Sequence, residues 1–431
     1  MRYGLRELGG LARTSLGRRT IWRGALRQSW PLLSRIAGTH RRTFGRSCKV
    51  IAVVGSYGKT TTTRVVKAAL GLPASGRPPA NCWTGLALGL LRVQPCDPHA
   101  VFEVGIADVG QMAGYARMLR ADVAVVTCVG TEHHRSLNRP EVTREEKAHM
   151  VRALPASGLA VLNADDAHVL SMRHGTRARV MTYGFAGDSD VRAARLRADW
   201  PLGMGFRLRA DGREREVRTH LFGRTMVYPV LAAVAVALAE GLDLDDVLAR
   251  IEALPPTPGR LQPVPLPGGA FLLRDDYKSS LETIDSAFDA LAAVPAERRL
   301  VVLGDVSEPP GSQGPIYRSL GLRVAETASR TFIVGRQFQR YVAGARRAGM
   351  AGDRFVRVGG GILRAAEVVR TELRGGDVVL IKGRDTEHLD RVALALQGRH
   401  VRCDLPTCRR KRTCDNCPML ARGWDGLHPV T

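Results

Sequence analysis

The sequence predicts an α/β protein made of two successive parallel-sheet units and closed by a short cysteine-rich tail. Three observations lead there. From Val50 to about Leu254, short apolar strands alternate with helical segments, the pattern of βα units around a largely parallel sheet. A proline-rich stretch over residues 255–269 interrupts this rhythm, which resumes from Phe271 to about Gln397. Four of the eight cysteines then fall in the last 30 residues.

The chain of 431 residues is long enough for two or three separately cored domains. Its boundaries are expected at residues 1–48 (a basic segment), 49–260, 261–398 and 399–431. No apolar run approaches the length of a membrane span; the most apolar segment, Val230–Ala239, is short and built of small residues. The net charge of +23 points to anionic partners such as nucleotides, acidic polymers or an anionic membrane surface, although arginine enrichment alone would give the same figure. Residues 1–49 hold eleven Arg and one Lys against the single acid Glu7, with apolar residues at rough helical spacing. That stretch reads either as an amphipathic segment for an anionic membrane face or as a helix packed on the first unit. Cys48, Cys82, Cys96 and Cys128 are scattered and read as reduced core thiols of a cytoplasmic protein.

The first unit opens on Val50–Val54, a buried strand running into Gly55-Ser56-Tyr57-Gly58-Lys59-Thr60-Thr61. The glycines let the backbone turn close to a polyphosphate. Lys59 can reach the β/γ-phosphates, and the Thr60 hydroxyl can sit on Mg²⁺. The helix expected over Arg64–Leu70 would point its N-terminus at the anion. Val53 stands where the longer G-x-x-x-x-G-K-[ST] pattern has its first glycine, so the motif is the shorter G-x-x-G-K-T-T. Strand before and helix after make it an ATP or GTP site. Further strands are expected at Val101–Val104, Val123–Val129, Leu159–Leu162 and Val180–Tyr183, an antiparallel hairpin over 191–219, and helices at Val230–Glu240 and Leu244–Leu254. Beyond a semi-rigid connector, strands follow at Phe271–Leu273, Leu300–Leu303, Thr331–Val334, Phe355–Val358 and Val378–Ile381, a second, Rossmann-like sheet.

Several signatures stand in fixed order behind the glycine turn: Phe102-Glu103-Val-Gly105, a strand ending in a carboxylate; Ala121 to His133, a strand leading to a histidine; Glu145-Glu-Lys147; and Leu162-Asn-Ala-Asp-Asp166. In this order they resemble the Mur ligase family, the ATP-dependent amide-forming enzymes that include the peptidoglycan stem-peptide ligases, folylpolyglutamate synthase and poly-γ-glutamate synthase. The resemblance covers roughly Val50 to Gln397. It implies a P-loop ATPase unit followed by a Rossmann-like one, and a reaction in which ATP phosphorylates a carboxylate and an amine attacks the acyl phosphate. It also implies roles: Lys59 on the phosphates, Thr60 and Glu103 on one Mg²⁺, His133 on a second, and Lys147 as the lysine that many members carbamylate. Taken singly, Glu103, His133 and Lys147 could equally be a loop acid, a satisfied polar residue and a surface lysine.

In the second unit, Leu273-Arg-Asp275-Asp276-Tyr277, Leu303-Gly-Asp305 with Ser307-Glu308, and Ile381-Lys382-Gly-Arg384 resemble further family segments, and Arg260 matches an arginine at the junction. By that resemblance Asp275, Asp276, Tyr277, Lys382 and Arg384 bind the amine substrate; Asp275 and Asp276 could equally cap the helix expected over Leu281–Leu291. Three positions depart from the family pattern. Gly223–Pro229 lacks both asparagines of its adenine segment, Cys128 stands where Asn is common, and Tyr317 where the D-alanyl-D-alanine-adding branch commonly has His. No counterpart of the UDP-sugar-binding N-terminal domain is recognised. This favours a carrier-linked or polymeric carboxylate over a UDP-linked one, as for poly-γ-glutamate synthases and glutamate-amidating ligase-like subunits. A nucleotide-binding scaffold with decayed activity is the alternative of a different class. Nucleic acid is not an expected partner.

Cys403-x₄-Cys408-x₅-Cys414-x₂-Cys417 suits a tetrahedral Zn²⁺, with an Fe–S cluster as the alternative. The basic residues Arg402, Arg409, Arg410, Lys411 and Arg412 would offset thiolate charge.

Overall fold

A computed structural model describes residues 18, 21–22, 24–25, 28–73, 81–131, 134–408 and 413–423. The first sheet has eight strands in the order β2-β1-β3-β4-β5-β6-β7-β8. These are β1 Lys49–Val54, β2 His99–Glu103, β3 Val123–Val126, β4 Leu159–Asn163, β5 Arg179–Gly184, β6 Val191–Asp199, β7 Gly203–Ala210 and β8 Arg213–Thr219. Neighbours from β2 to β6 run parallel; β7 runs antiparallel to both its neighbours, β6 and β8. The central strands β1, β3 and β4 are buried over nearly their whole length because helices cover both faces.

The region 191–219 is therefore a three-stranded meander rather than one hairpin, since the arginine-rich stretch is long enough to turn twice. β3 stops at Val126, three residues short of its expected end. Thr127 leaves the sheet to donate its hydroxyl to Tyr57 O, 2.6 Å away, and Cys128 O accepts from Ser56 N at 2.9 Å. These bonds pull the loop across to the end of β1.

The second sheet has the order β13-β12-β11-β14-β10-β9, with β9 Gln262–Pro265, β10 Phe271–Asp275, β11 Arg299–Leu303, β12 Arg330–Ile333, β13 Phe355–Arg357 and β14 Val378–Lys382. All neighbours are parallel except β9, which pairs antiparallel with β10 at the edge. Part of the proline-rich connector is thus an edge strand. Pro263 and Pro265 are tolerated because an edge strand leaves one row of N–H positions unused.

Apolar packing joins the two sheets. The helix Val227–Ala239 is buried on nearly all sides and shares a core with Leu221, Phe222, Leu261 and the helix Leu281–Ala292. Trp200 adds edge-on contacts to Phe222 and Phe271, with ring centroids 4.9 and 5.6 Å apart. At the other end, the helix Trp30–Arg42 lies on the first sheet's helices. Trp30 meets Trp83 and Tyr115 edge-on, and the buried Arg41 donates to Leu119 O, Arg120 O, Gly45 O and Asp122. For the described part of the basic segment the packed arrangement holds, with Leu32, Ile36 and Phe44 facing outward; residues 1–17 lie outside the described residues. Cys48 and Cys128 are core thiols as expected, whereas Cys82 is half-buried and Cys96 exposed. No helix among the described residues is long and apolar enough to cross a membrane.

Candidate active site

Chain order sets the place of the site. From β1 the chain crosses to β2 on one side, and from β3 to β4 on the other, so a crevice opens at the carboxyl ends of β1 and β3. The turn 55–58 lies there. Gly55 has φ +148°, and a Cβ on it would come within 1.8 Å of Thr127 Oγ1; Gly58, at φ +81°, precedes the first residue of the helix Lys59–Ala69. Glycine at these two positions lets the β1 and β3 loops touch, and leaves the helix N-terminus facing the crevice. Ser56 ties the loops further: its hydroxyl accepts from Gly130 N at 2.8 Å. Lys59 is buried and donates to Gly55 O at 2.7 Å and Ser56 O at 2.9 Å, so the ammonium is held against the turn. Thr61 is buried and Thr60 half-buried beside it.

Glu103 ends β2 next to β1 and is buried. Asn81 Nδ2 donates to its Oε1 at 2.9 Å, while Oε2 is buried with no hydrogen-bond partner among the described residues. A carboxylate with one oxygen fixed and one unspent is what an oxygen-liganded cation requires. Lys147 is buried in the helix Pro140–Arg152. Both it and Lys59 lie close enough to Cys128 to favour its thiolate electrostatically, although burial, the larger effect, raises that thiol's pKa. Turn and Lys147 thus both lie near Cys128 at the end of β3, while Glu103 ends β2 on the other side of β1. His133 lies outside the described residues.

The second sheet brings its own carboxyl ends to the same place. Asp275 ends β10, Lys382 ends β14, and the two are register partners. Lys382 Nζ donates to Asp275 Oδ2 at 2.5 Å and to Lys278 O at 2.6 Å, fully buried, and burial lowers its pKa. Asp276 is buried and paired with Arg274 at 2.8 Å; burial pushes its pKa up to about 6, against the pull of Arg274. Three of the five residues expected to hold substrate are therefore satisfied inside the protein. Asp275 and Asp276 do not cap the following helix, whose N-cap position is Ser280. Tyr277 and Arg384 are half-buried; Arg260 lies over the Tyr277 ring, 4.8 Å from its centroid. Tyr317 is buried and its hydroxyl accepts from Val306 N, which makes it a support for the β11 loop.

At the crevice, sequence reasoning missed two residues. Lys278 Nζ donates to Ser56 O at 2.9 Å, so lysines from both units meet at one carbonyl of the glycine turn. Glu282 Oε1 accepts from Thr131 N at 2.7 Å and Thr131 Oγ1 at 2.8 Å, tying the helix Leu281–Ala292 to the β3 loop. The only signal for Lys278 was its place directly after the Asp275–Tyr277 segment.

The cysteine tail does not assemble as expected. Cys403 Sγ is 3.4 Å from Arg391 Nη1. The group whose ligand atoms lie within 4.8 Å of one another is instead His388, Asp390 and Cys414, all buried. The expected order in sequence omitted His388 because it belongs to the loop after β14. Arg409, Arg410, Lys411 and Arg412 lie outside the described residues.

Comparison with known proteins agrees with this geometry. Residues 53–237 match the Mur ligase middle domain, and residues 259–384 the Mur ligase, glutamate ligase domain. The UDP-N-acetylmuramoyl-tripeptide–D-alanyl-D-alanine ligase of Mycobacterium tuberculosis is 31% identical over 369 residues, covering 80% of this chain and 72% of its own. The Escherichia coli enzyme of the same name is 27% identical over 365 residues, covering 81% and 77%. Among solved structures, MurF from Acinetobacter baumannii superposes with a TM-score of 0.75 at 23% identity, covering 85% of this chain and 80% of that one. MurF ligase from Thermotoga maritima, solved in complex with ADP, does so with 0.75 at 20% identity, covering 86% and 84%. The chain belongs to the Mur ligase family. It is an ATP-dependent ligase that forms an amide bond.

Proposed function

We propose that the chain binds ATP at the turn 55–61 and uses it to join a carboxylate to the amine of an amino acid or short peptide, through an acyl phosphate, in cell-envelope polymer synthesis. The observation that carries this reading is the Glu103 oxygen left without a hydrogen-bond partner among the described residues, at the end of β2 next to the strand that runs into the Lys59 turn. That pair suits Mg²⁺ and phosphate together, and the residues that would hold the ion are Thr60 and Glu103, with His133 and, once carbamylated to an anionic oxygen ligand, Lys147 for a second. Mg²⁺, when bound, offsets phosphate charge. The rest falls to the protein. Lys59 can exchange its two carbonyl contacts for phosphate oxygens without leaving the turn. Lys278 brings a second positive charge from the other unit to the same carbonyl, where charge moves during transfer. The buried Lys382–Asp275 pair fixes Lys278 through its main-chain oxygen. Tyr277, Arg260 and Arg384 remain at the mouth to meet the amine substrate.

The first unit is read as a P-loop ATPase unit and the second as Rossmann-like, with boundaries near residues 49, 260 and 398. The names of the relatives put a UDP-linked muramoyl tripeptide and D-alanyl-D-alanine first among substrates to test. A carrier-linked or polymeric carboxylate is the variant we favour, because a net charge of +23 suits a polyanionic or membrane-held partner. ATP as co-substrate places the reaction in the cytoplasm, and the exposed Leu32, Ile36 and Phe44 on a basic segment suit its membrane face. The cysteine tail is read as a structural metal module.

The test is ADP release with Mg²⁺ across a matrix of carboxylates (UDP-linked, lipid-linked, polymeric) and amines, with the product identified by mass. Release that needs one carboxylate and one amine together, with an amide of the summed mass less water, is expected. ADP release indifferent to both, with no amide formed, contradicts the reading.

A further inference from the structure

The tail is fastened to the loop after β14 at several points. Cys408 N donates to Thr386 O at 2.8 Å, and Cys414 N to Asp390 Oδ2 at 2.6 Å. Arg391, fully buried, holds Cys403 O and Leu405 O at 3.0 and 2.6 Å. Within this seam His388 Nδ1 is 3.4 Å from Cys414 Sγ and 3.5 Å from Asp390 Oδ1, and the Cys408 side chain also hydrogen-bonds to His388. Two atoms are left over. His388 Nε2 and Asp390 Oδ1 are buried with no hydrogen-bond partner among the described residues, in a residue only 4% exposed and another equally so. Imidazole and thiol groups brought together in a dry place, with nitrogen and oxygen unspent, are a soft-metal donor set. Cys417 follows on the same short turn, its N–H donating to Cys414 O at 3.0 Å, the compact geometry of a Cys-x-x-Cys knuckle.

We propose that His388, Cys408, Cys414 and Cys417 form a Zn²⁺ site that spans the second unit and the tail, and that the ion clamps the tail onto the segment Arg274–Tyr277. Three thiolates and one imidazole make a closed tetrahedral set of the structural kind. Asp390 stands behind it, orienting His388 through its carboxylate and Cys414 through its N–H, as carboxylates behind metal-bound histidines do. Cys403 is outside the set, since Arg391 occupies it. The consequence for the crevice runs through Asp415, between the two knuckle cysteines. Its Oδ1 lies 3.5 Å from Arg274 Nη1, and Arg274 in turn holds Asp276 at 2.8 Å. The metal thus fixes Asp415, which helps fix Arg274 and Asp276 beneath Tyr277. The functional importance of this clamp rests on the ligase reading; the metal site itself does not.

The experiment is metal analysis of the full chain purified without chelator and reconstituted with ZnCl₂. Wild type and Cys403→Ser should hold about one zinc per chain, while His388→Ala and Cys414→Ser lose it. Asp390→Asn should weaken zinc binding by about 10–100-fold. His388→Cys guards against misfolding: it should regain the metal, with Co²⁺ charge-transfer bands stronger by one thiolate. Removing zinc from the wild type should speed hydrogen exchange over residues 274–277 and leave ADP affinity at the glycine turn unchanged. Full zinc in His388→Ala, loss in Cys403→Ser equal to that in Cys414→Ser, iron with visible absorption in place of zinc, or no metal after reconstitution would each overturn the site. Unchanged exchange at 274–277 would overturn the clamp. A wild type loaded with zinc but inactive on every substrate pair would count against the ligase reading alone.

Discussion

The carboxyl ends of the two sheets face one crevice and are built in opposite ways. At the first sheet, among the described residues, Glu103 keeps an oxygen with no hydrogen-bond partner, and Lys59 is bonded to neutral carbonyls rather than to an opposite charge. At the second, buried charges are spent inside the protein: Lys382 on Asp275, Arg274 on Asp276, and Glu387 on the backbone N–H groups of Asp305 and Arg384. Buried charges that are paired hold a shape; buried groups that are not await a ligand. On the function proposed above, the first end binds, and the second holds Lys278, Tyr277 and Arg384 in position.

Breaking each end should therefore fail differently. The largest effect is expected for Lys382→Ala, which strands Asp275 as an uncompensated buried charge and should cost about 3–5 kcal/mol of stability. Urea denaturation measures it, and the double variant Lys382→Met with Asp275→Asn should recover most of the loss. A Lys382→Ala protein as stable as wild type would remove the claim that this end is structural. Next, Lys59→Ala and Glu103→Gln should lower turnover by roughly 10²–10³-fold with a thermal midpoint that moves far less than in Lys382→Ala, because Lys59 is held by neutral carbonyls and the glutamine keeps an acceptor for Asn81, so neither strands a buried charge. Lys278→Ala sharpens the comparison. A half-buried side chain that touches the turn only from across the crevice should lower kcat by about 10-fold or more, with little change in ADP affinity.

The smallest effect lies away from the crevice. Glu240 accepts from Lys49 Nζ at 2.7 Å and His99 Nε2 at 3.0 Å. Burial raises its pKa, but these bonds outweigh burial and leave it below the ordinary carboxylate value. A depressed carboxyl contributes stability above its unfolded pKa and loses it as pH falls through the folded value. Glu240→Gln should therefore cost well under about 1 kcal/mol at pH 7, since Lys49 is half-exposed, and nothing once the pH is below that of the folded carboxyl. Melting curves at pH 7 and pH 3 would show whether the difference closes.

How much of this was legible in the sequence follows the same division. The alternation of strands and the glycine turn were readable because burial on both faces writes a continuous apolar run, and a close loop crossing demands Gly55. The place of Glu103 at a strand end was readable too. The ends of β3 and the doubled turn in 191–219 were not, because hydrogen bonds from Thr127 and Cys128 to the β1 loop, not local pattern, decide where the strand stops. Lys278 and Glu282 were hidden for a stronger reason: their partners Ser56 and Thr131 lie over 150 residues away and on another sheet. The pairing of Lys382 with Asp275 was concealed by a separation of 107 residues between neighbouring strands, so that two residues expected to meet substrate are found bonded to each other. His388 was passed over because it stands apart from the cysteine run that drew attention.

The most direct test of the account is equilibrium ADP binding by calorimetry, with Mg²⁺ present, for wild type, Lys59→Ala and Lys278→Ala, beside the ATP turnover of each. The account requires Lys59→Ala to lose both binding and turnover, and Lys278→Ala to keep wild-type affinity while turnover falls. Equal affinity in Lys59→Ala and wild type, or loss of affinity in Lys278→Ala alone, would contradict the division of the crevice into a binding end and a positioning end.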